Sequence, residues 1–460
     1  MIKNKNQMLM NFIVLAICLV FLDSYQIINI PISWIGQGLL MLTALTGFKK
    51  FKYLLTSNVL KYGAILIVLP QIYFILNTIQ SGENLLYTVL RYFNIASFVV
   101  VLAFSINYSY ENKVNSENLL KKIRLFCIFY SIIIVYIFGA QIFDLFEPLR
   151  NRANTNLFGG SAQSIFWLSQ PHRAMGTFRE PSFLVTFFYP LVLLIIKSLK
   201  KTDIFFCILT GIGLGLTRSD YARFFTVIVL ILFLYSLYID KKINFNFIFL
   251  MLSILFFSTF GVLECNLNPD SIECGEYKND VENINRSGKL KIKSNTVSSV
   301  VEIGTERLNV INYFYESLGG LKPNGLNNVS QNFQTFESTD IANEMYLTNR
   351  TVPEYLLNRY STKNFGTGNY SVLKYELNVQ NIIVFYTQGF GVVFVALLFI
   401  LLIDFVTNHK LSKDLPYFMI ILLFFTISPI EELNAYYGLI IGLSYGCLLY
   451  TSDAADDSQC

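Results

Sequence analysis

The chain has 460 residues, of which 53% are hydrophobic and only 14% are charged, and its mean hydropathy is +0.49. A water-soluble globular protein does not combine so much apolar sequence with so little charge, so the composition predicts a polytopic membrane protein. The net charge of +4 is small, and we expect no nucleic-acid partner.

Apolar runs that are long enough, or nearly long enough, to cross a bilayer follow one another along the chain. They predict an all-α integral membrane protein with about twelve transmembrane helices. The first run lacks a small-residue cleavage site and is followed at once by further runs, so we interpret it as a membrane helix. The predicted helices cover residues 8–22, 32–47, 62–78, 85–105, 125–144, 181–197, 204–217, 221–238, 244–263, 381–403, 416–429 and 433–449.

Lysine and arginine in the short connections predict which side of the membrane each helix end faces. They fall in every second connection between the counted helices, which places them all on one side of the membrane. The positive-inside rule makes that side the cytoplasm. The connections at residues 23–31, 80–84 and 429–432 contain neither lysine nor arginine. We therefore predict a cytoplasmic N-terminus. The residues behind this orientation include Lys3, Lys5, Lys49, Lys50, Lys61, Lys121, Lys122, Arg124, Lys200, Lys201, Lys241, Lys242, Lys410 and Lys413.

The orientation divides the chain into segments. Residues 1–263 hold helices 1–9 with an external loop at 145–181, residues 264–380 form one large external loop domain between helices 9 and 10, and residues 381–446 hold the last three helices. Cys265 and Cys274 share the large loop, where a disulfide and two free thiols both remain open. Residues 447–460 resemble the translation of a sequencing adapter, and we interpret them as an artefact that replaces the natural C-terminus.

Charged residues concentrate at 171–183, where the external loop meets a predicted helix. Arg173 and Arg179 bring guanidinium groups, which bind phosphate oxygens with fork geometry. Glu180 adjoins them as a carboxylate that can accept a proton, and His172 is a second candidate base. Pro181 starts the helix, whose backbone N–H groups also attract anions. The segment predicts chemistry on a phosphorylated substrate.

Three further arginines are expected on the same external side. Arg91 lies about two turns inside its predicted helix, and Arg218 and Arg223 flank the turn at 216–223. A cationic pocket and separate snorkelling anchors are both compatible with this placement. The sequence contains no cluster of metal ligands and no glycine-rich nucleotide loop, so we expect neither a metal nor a cofactor.

Residues 173–182, Arg-Ala-Met-Gly-Thr-Phe-Arg-Glu-Pro-Ser, resemble the Arg-x-x-Gly-x-Phe-x-Glu-Pro-Ser segment of the O-antigen polymerase and ligase superfamily. Leu-Thr-Arg-Ser-Asp-Tyr-Ala-Arg at 216–223 is similar to that family's Leu-Thr-x-Ser-Arg turn. Phe-Gly-Thr-Gly at 365–368, Asn381 and Gln-Gly-Phe-Gly at 388–391 resemble its later motifs. Where the ligases have a histidine before asparagine, this chain has Gln380, which cannot act as a base at neutral pH. The resemblance is therefore to the Wzy-type polymerases.

The resemblance implies a GT-C-like membrane glycosyltransferase of the bacterial cytoplasmic membrane. Undecaprenyl-diphosphate-linked glycan would be the donor, a second lipid-linked repeat unit the acceptor, and a chain-length regulator and flippase the pathway partners. It implies a diphosphate clamp of Arg173, Arg179, Arg218 and Arg223, joined by Arg91, with Glu180 or His172 as the base. A ligase, a flippase or transporter of lipid-linked sugar, and another lipid-dependent glycosyltransferase are the alternatives, although the crowding of charge at the outer side disfavours a transporter.

Overall fold

The computed structural model of the chain describes residues 2–27, 30–47, 85–111, 113–143, 173–178, 180–199, 201–240, 244–267, 415–427 and 433–456. Within these ranges the chain is mostly helical, with ten α-helices and a hairpin in which β1 (Gln26–Ile27) pairs antiparallel with β2 (Ile30–Pro31). The helices are α1 Ile2–Val20, α2 Ile32–Gly47, α3 Leu85–Glu111, α4 Lys113–Phe143, α5 Pro181–Ser198, α6 Ile204–Leu216, α7 Asp220–Asp240, α8 Phe245–Leu267, α9 Leu415–Ile427 and α10 Ala435–Asp456.

Two stretches of the described residues are long and apolar enough to cross a membrane, judged by length and composition alone. They are Ser116–Ala140 within α4 and Pro181–Ser198, which is α5. Other described helices contain shorter apolar stretches, among them Ile204–Leu216 and Phe245–Ser258. The predicted spans 62–78 and 381–403 and all but residues 264–267 of the predicted external domain lie outside the described residues.

The connection between α3 and α4 differs from the sequence prediction. The basic residues Lys121, Lys122 and Arg124 were expected in a short loop, but they lie within α4, which begins at Lys113. The early part of α4 is amphipathic, because Leu119 and Ile123 are fully buried while Lys121 is exposed. An apolar stripe of this kind holds the segment helical against its neighbours.

Glycines at intervals of four residues bring pairs of helices into close contact. A Cβ atom on Gly442 of α10 would lie 2.7 Å from the carbonyl oxygen of Leu102 in α3, and one on Gly438 would lie 2.5 Å from that of Phe98. Gly211 and Gly215 of α6 approach α8 in the same way. Small-residue contacts with this spacing are typical of helix pairs in membranes.

Side-chain contacts establish the relative directions of the helices. Arg124 forms an ion pair with Asp203, just before α6, whereas Phe138 lies beneath Arg218, just after α6. The helices α4 and α6 are therefore parallel. Lys122 of α4 donates a hydrogen bond to Asn11 of α1, and Tyr130, further along α4, packs against Phe21 after α1, so α1 shares this direction.

We call one end of the bundle the motif end. It contains the C-terminal ends of α1, α4 and α6 and the N-terminal ends of α5, α7 and α10. The ion pair of Arg124 and Asp203 lies at the opposite end.

Candidate functional site

Two segments that are far apart in the sequence meet at the motif end. The Nε atom of Arg173 donates a hydrogen bond of 3.1 Å to the carbonyl oxygen of Thr217, and the amide of Ala174 donates one of 2.9 Å to the carbonyl oxygen of Leu216. Arg173 therefore lies against the peptide that precedes Arg218. This contact joins the segment 173–178 to the turn between α6 and α7.

A glycine provides the bend inside this segment. Gly176 has a φ of +56°, in the left-handed region where a side chain is strained. A Cβ atom at this position would also lie 3.0 Å from the phenolic oxygen of Tyr130. Both conditions favour glycine here, so the close approach to α4 depends on Gly176.

Thr177 uses all of its polar groups in contacts with other parts of the bundle. Its carbonyl oxygen accepts hydrogen bonds from the amide (3.1 Å) and the hydroxyl (2.8 Å) of Ser24, which follows α1. Its hydroxyl donates to the carbonyl oxygen of Phe21. The phenol of Tyr130 therefore donates to the Thr177 oxygen, at 2.8 Å. Thr177 is only 1% exposed. Through these bonds it connects the segment to the residues after α1 and to Tyr130 of α4.

Aromatic rings close the space beneath the segment. Phe178 is fully buried and packs edge-on against Phe21, with ring centroids 5.3 Å apart. It also contacts Phe187 of α5 in a tilted arrangement, with centroids 5.2 Å apart. The ring of Tyr436 in α10 stacks on Phe187, and its hydroxyl donates to the Phe187 carbonyl oxygen at 2.6 Å. The segment 173–178 is thus packed through Phe178 against aromatic rings of α5 and of the residue after α1.

Glu180 occupies the N-cap position of α5. Its φ and ψ of −138° and 153° are extended, and Pro181 follows as the first helical residue. The carboxylate makes no capping bond to the helix backbone but accepts a hydrogen bond of 3.0 Å from the hydroxyl of Ser182. The carboxylate is half-buried at the motif end. Glu180, the first predicted base, thus stands at the start of α5 with its carboxylate bonded to Ser182.

Arg218 has an unusual backbone conformation. Among the described residues other than glycine, Arg218 is the one with a positive φ, +45°. A backbone in this left-handed region is strained for a residue with a side chain. The Arg218 amide donates to the carbonyl oxygen of Gly215 at 2.9 Å, which helps to end α6. Its guanidinium carbon lies 5.9 Å above the centre of the Phe138 ring, within the range of a cation–π contact.

Arg223 lies in the first turn of α7 and faces α8. Its Nη2 atom donates a hydrogen bond of 3.1 Å to the carbonyl oxygen of Ser258. Arg173 instead bonds the peptide before Arg218, at the turn after α6. The described contacts therefore bring Arg173 to the turn that carries Arg218, and they give Arg223 a separate anchor.

The other predicted site residues are described in part or not at all. Arg91 lies within α3, but its side chain is outside the description. His172 and Arg179 lie outside the described residues. Across the described ranges, no three histidine, cysteine, aspartate or glutamate side chains come together as a metal site requires.

The sequence interpretation missed the residues that hold the site. Ser24, Tyr130 and Thr177 were not selected, because their bonds join positions that are up to 156 residues apart. Thr177 does lie between Gly176 and Phe178 in the motif. A polar residue between a glycine and a phenylalanine was the available sequence signal for a buried hydrogen-bonding position. Taken together, the contacts bring Arg173 to the turn that carries Arg218, and Glu180 caps the helix that follows the same motif. Guanidinium groups and a carboxylate suit an anionic group whose neighbour loses a proton.

Comparison of the chain with protein-family models, with curated proteins and with solved structures found no match.

Proposed function

We propose that this protein is a membrane polymerase of undecaprenyl-diphosphate-linked oligosaccharide repeat units, acting at the outer face of the bacterial cytoplasmic membrane with its N-terminus inside the cell. The observation that carries the proposal is the contact between Arg173 and the peptide before Arg218. It joins the two segments whose sequences resemble the family's motifs. The polymer would be an O-antigen, a capsule or an exopolysaccharide.

Exposed apolar faces support the membrane location. Along α4, four large apolar side chains are spaced as one helical stripe and are 42–58% exposed: Leu125, Phe129, Ile132 and Tyr136. Similar side chains are exposed on α7 and α8, including Ile231 and Phe256. Exposing such contiguous apolar surface to water is unfavourable in free energy, whereas contact of the same surface with lipid tails is not. The bundle suits a bilayer, and the lipid bilayer is one of its partners.

The chemistry is a substitution at the anomeric carbon of the donor sugar. The acceptor hydroxyl oxygen forms a bond to that carbon, its proton passes to the base, and the bond to the diphosphate oxygen breaks with the electron pair leaving on the diphosphate. Arg173 and Arg218 stabilise the leaving diphosphate, with Arg179, Arg223 and Arg91 as further members of the clamp. Glu180 serves as the base, and His172 is the second candidate. The sugar is substituted with inversion.

Polymer length in cells tests the proposal. Arg173→Ala and Arg218→Ala should each abolish long polymer at normal protein level, because loss of one such donor costs about a hundredfold to a thousandfold in rate. Lys121→Ala is the matched control, since Lys121 is an exposed cation toward the opposite end of the bundle. Full-length polymer in both arginine variants refutes the clamp. Loss of glycan attachment with chain length unchanged would identify a ligase instead.

A further inference from the structure

We infer that Ser24 and Tyr130 are positioning residues of the reaction and that they act through Thr177; this inference rests on the proposed function. We call the hydrogen bonds that join Thr177 to Ser24, to Tyr130 and to the Phe21 carbonyl oxygen the Thr177 latch. The latch holds the segment that carries Arg173 at one side and leads to Glu180 at the other.

The donors and acceptors of the latch form a directed chain. The Thr177 hydroxyl has one proton, with which it donates a hydrogen bond to the Phe21 carbonyl oxygen. The Thr177 hydroxyl oxygen therefore accepts the hydrogen bond from the Tyr130 phenol. The amide of Thr177 also donates to the phenolic oxygen, at 3.4 Å. Hydrogen bonds arranged in sequence polarise one another, and burial makes an unsatisfied member costly. Segment 173–178 is therefore held in one position.

That position bears directly on the two arginines. Three residues separate Thr177 from Arg173, whose Nε bonds the Thr217 carbonyl oxygen. The left-handed bend at Gly176 lies between them in the chain, and a Cβ atom there would come within 3.0 Å of the Tyr130 hydroxyl oxygen. A shift at Thr177 is thus transmitted to Arg173, and misplacement of a catalytic group by about 1 Å can cost a hundredfold in rate.

The protein contains a matched pair of the same chemistry away from the segment. Tyr189 of α5 donates to the hydroxyl oxygen of Thr226 in α7 at 3.1 Å, and Thr226 donates to the carbonyl oxygen of Ala222 at 2.6 Å. Tyr130 and Tyr189 are both buried. Removing either phenolic oxygen deletes a buried hydrogen bond between a tyrosine and a threonine hydroxyl. Tyr130 also accepts the longer bond from the Thr177 amide, and of the two tyrosines only Tyr130 touches segment 173–178.

The experiment compares Tyr130→Phe with Tyr189→Phe in purified protein. Both variants should unfold at a lower temperature than the wild type, and Tyr130→Phe should lose more, because it also lacks the longer bond from the Thr177 amide. Only Tyr130→Phe should lower the turnover of lipid-linked repeat units, by about tenfold or more at saturating donor. Thr177→Ser keeps the hydroxyl and should retain turnover, whereas Thr177→Val should not.

Hydrogen exchange of the backbone amides in residues 173–178 gives a readout that does not depend on activity. Exchange should accelerate in Tyr130→Phe and stay unchanged in Tyr189→Phe. Equal losses of turnover in the two variants, or unchanged exchange in Tyr130→Phe, overturn the inference. If the wild-type protein makes no polymer, the proposed function fails, and the exchange measurement still decides whether the latch holds the segment.

Discussion

Gly176→Ala tests the bend that brings the motif against α4. The substitution places a side chain at a φ of +56°, which costs about 1–2 kcal/mol for a residue with a Cβ atom. The new methyl group would also lie 3.0 Å from the Tyr130 hydroxyl oxygen and 3.3 Å from the Ile134 Cγ1 atom. Overpacking of this kind adds about 1–3 kcal/mol. We therefore expect a loss of about 2–5 kcal/mol in the free energy of unfolding.

Two glycine controls separate the causes of that loss. A Cβ atom on Gly213 would lie 3.3 Å from the Cδ1 atom of the same Ile134, but Gly213 has an ordinary helical backbone. A Cβ atom on Gly38 of α2 would meet nothing within 4 Å. Alanine in a helix gains up to about 1 kcal/mol over glycine, so Gly38→Ala should not destabilise the protein and Gly213→Ala should fall between the two.

The assay is denaturant unfolding of the three variants in the same detergent, followed by tryptophan and tyrosine fluorescence. The order of stability should be Gly38→Ala, then Gly213→Ala, then Gly176→Ala. If Gly176→Ala unfolds within about 0.5 kcal/mol of the wild type, the left-handed bend against Tyr130 is not a feature of the folded protein.

Three other substitutions address the helix packing, the opposite end and the clamp. Gly442→Leu should prevent α10 from approaching α3 and sharply reduce the yield of folded protein in size-exclusion chromatography. Gly139→Ala places its Cβ atom in open space and should leave the yield unchanged. Equal yields of the two variants would contradict the close contact between α3 and α10. Asp203→Ala removes the N-cap of α6 and the ion pair with Arg124. It should lower the free energy of unfolding by about 1–2 kcal/mol yet preserve polymer length. Shortened polymer at normal protein level would count against the assignment of the site to the motif end. Arg223→Ala should slow turnover less than Arg173→Ala, because Arg223 is anchored on Ser258; a larger effect would move the clamp toward α8.

Local sequence signals predicted several helix boundaries well. The predicted run 32–47 matches α2, and the run 181–197 begins with α5 and ends one residue before it. Pro181 explains the second start, because proline suits the first helical position. The basic residues before 125 were misplaced because charge was taken to mark a loop, although Leu119 and Ile123 continue the apolar stripe of α4.

The contacts between distant segments were not predictable from one sequence. Apolar periodicity shows that α3 and α10 are helices, but it does not show that they are neighbours. The spacing of Gly438, Gly442 and Gly446 was a usable signal for close packing, and their contact with α3 emerges only in the structure. The predicted site shows the same limit, since the charges of Arg173 and Arg218 indicated anion binding, while the approach of Arg173 to the turn that carries Arg218 depends on the Thr217 carbonyl oxygen.

Turnover of lipid-linked repeat units by the purified protein in liposomes decides whether this protein is a polymerase. We expect the wild type to link repeat units into chains and to release one undecaprenyl diphosphate for each new glycosidic bond. Arg173→Ala should slow both products about a hundredfold or more, with the fold intact by thermal unfolding. Absence of polymer from the wild type, or equal rates for the wild type and Arg173→Ala, would contradict the account.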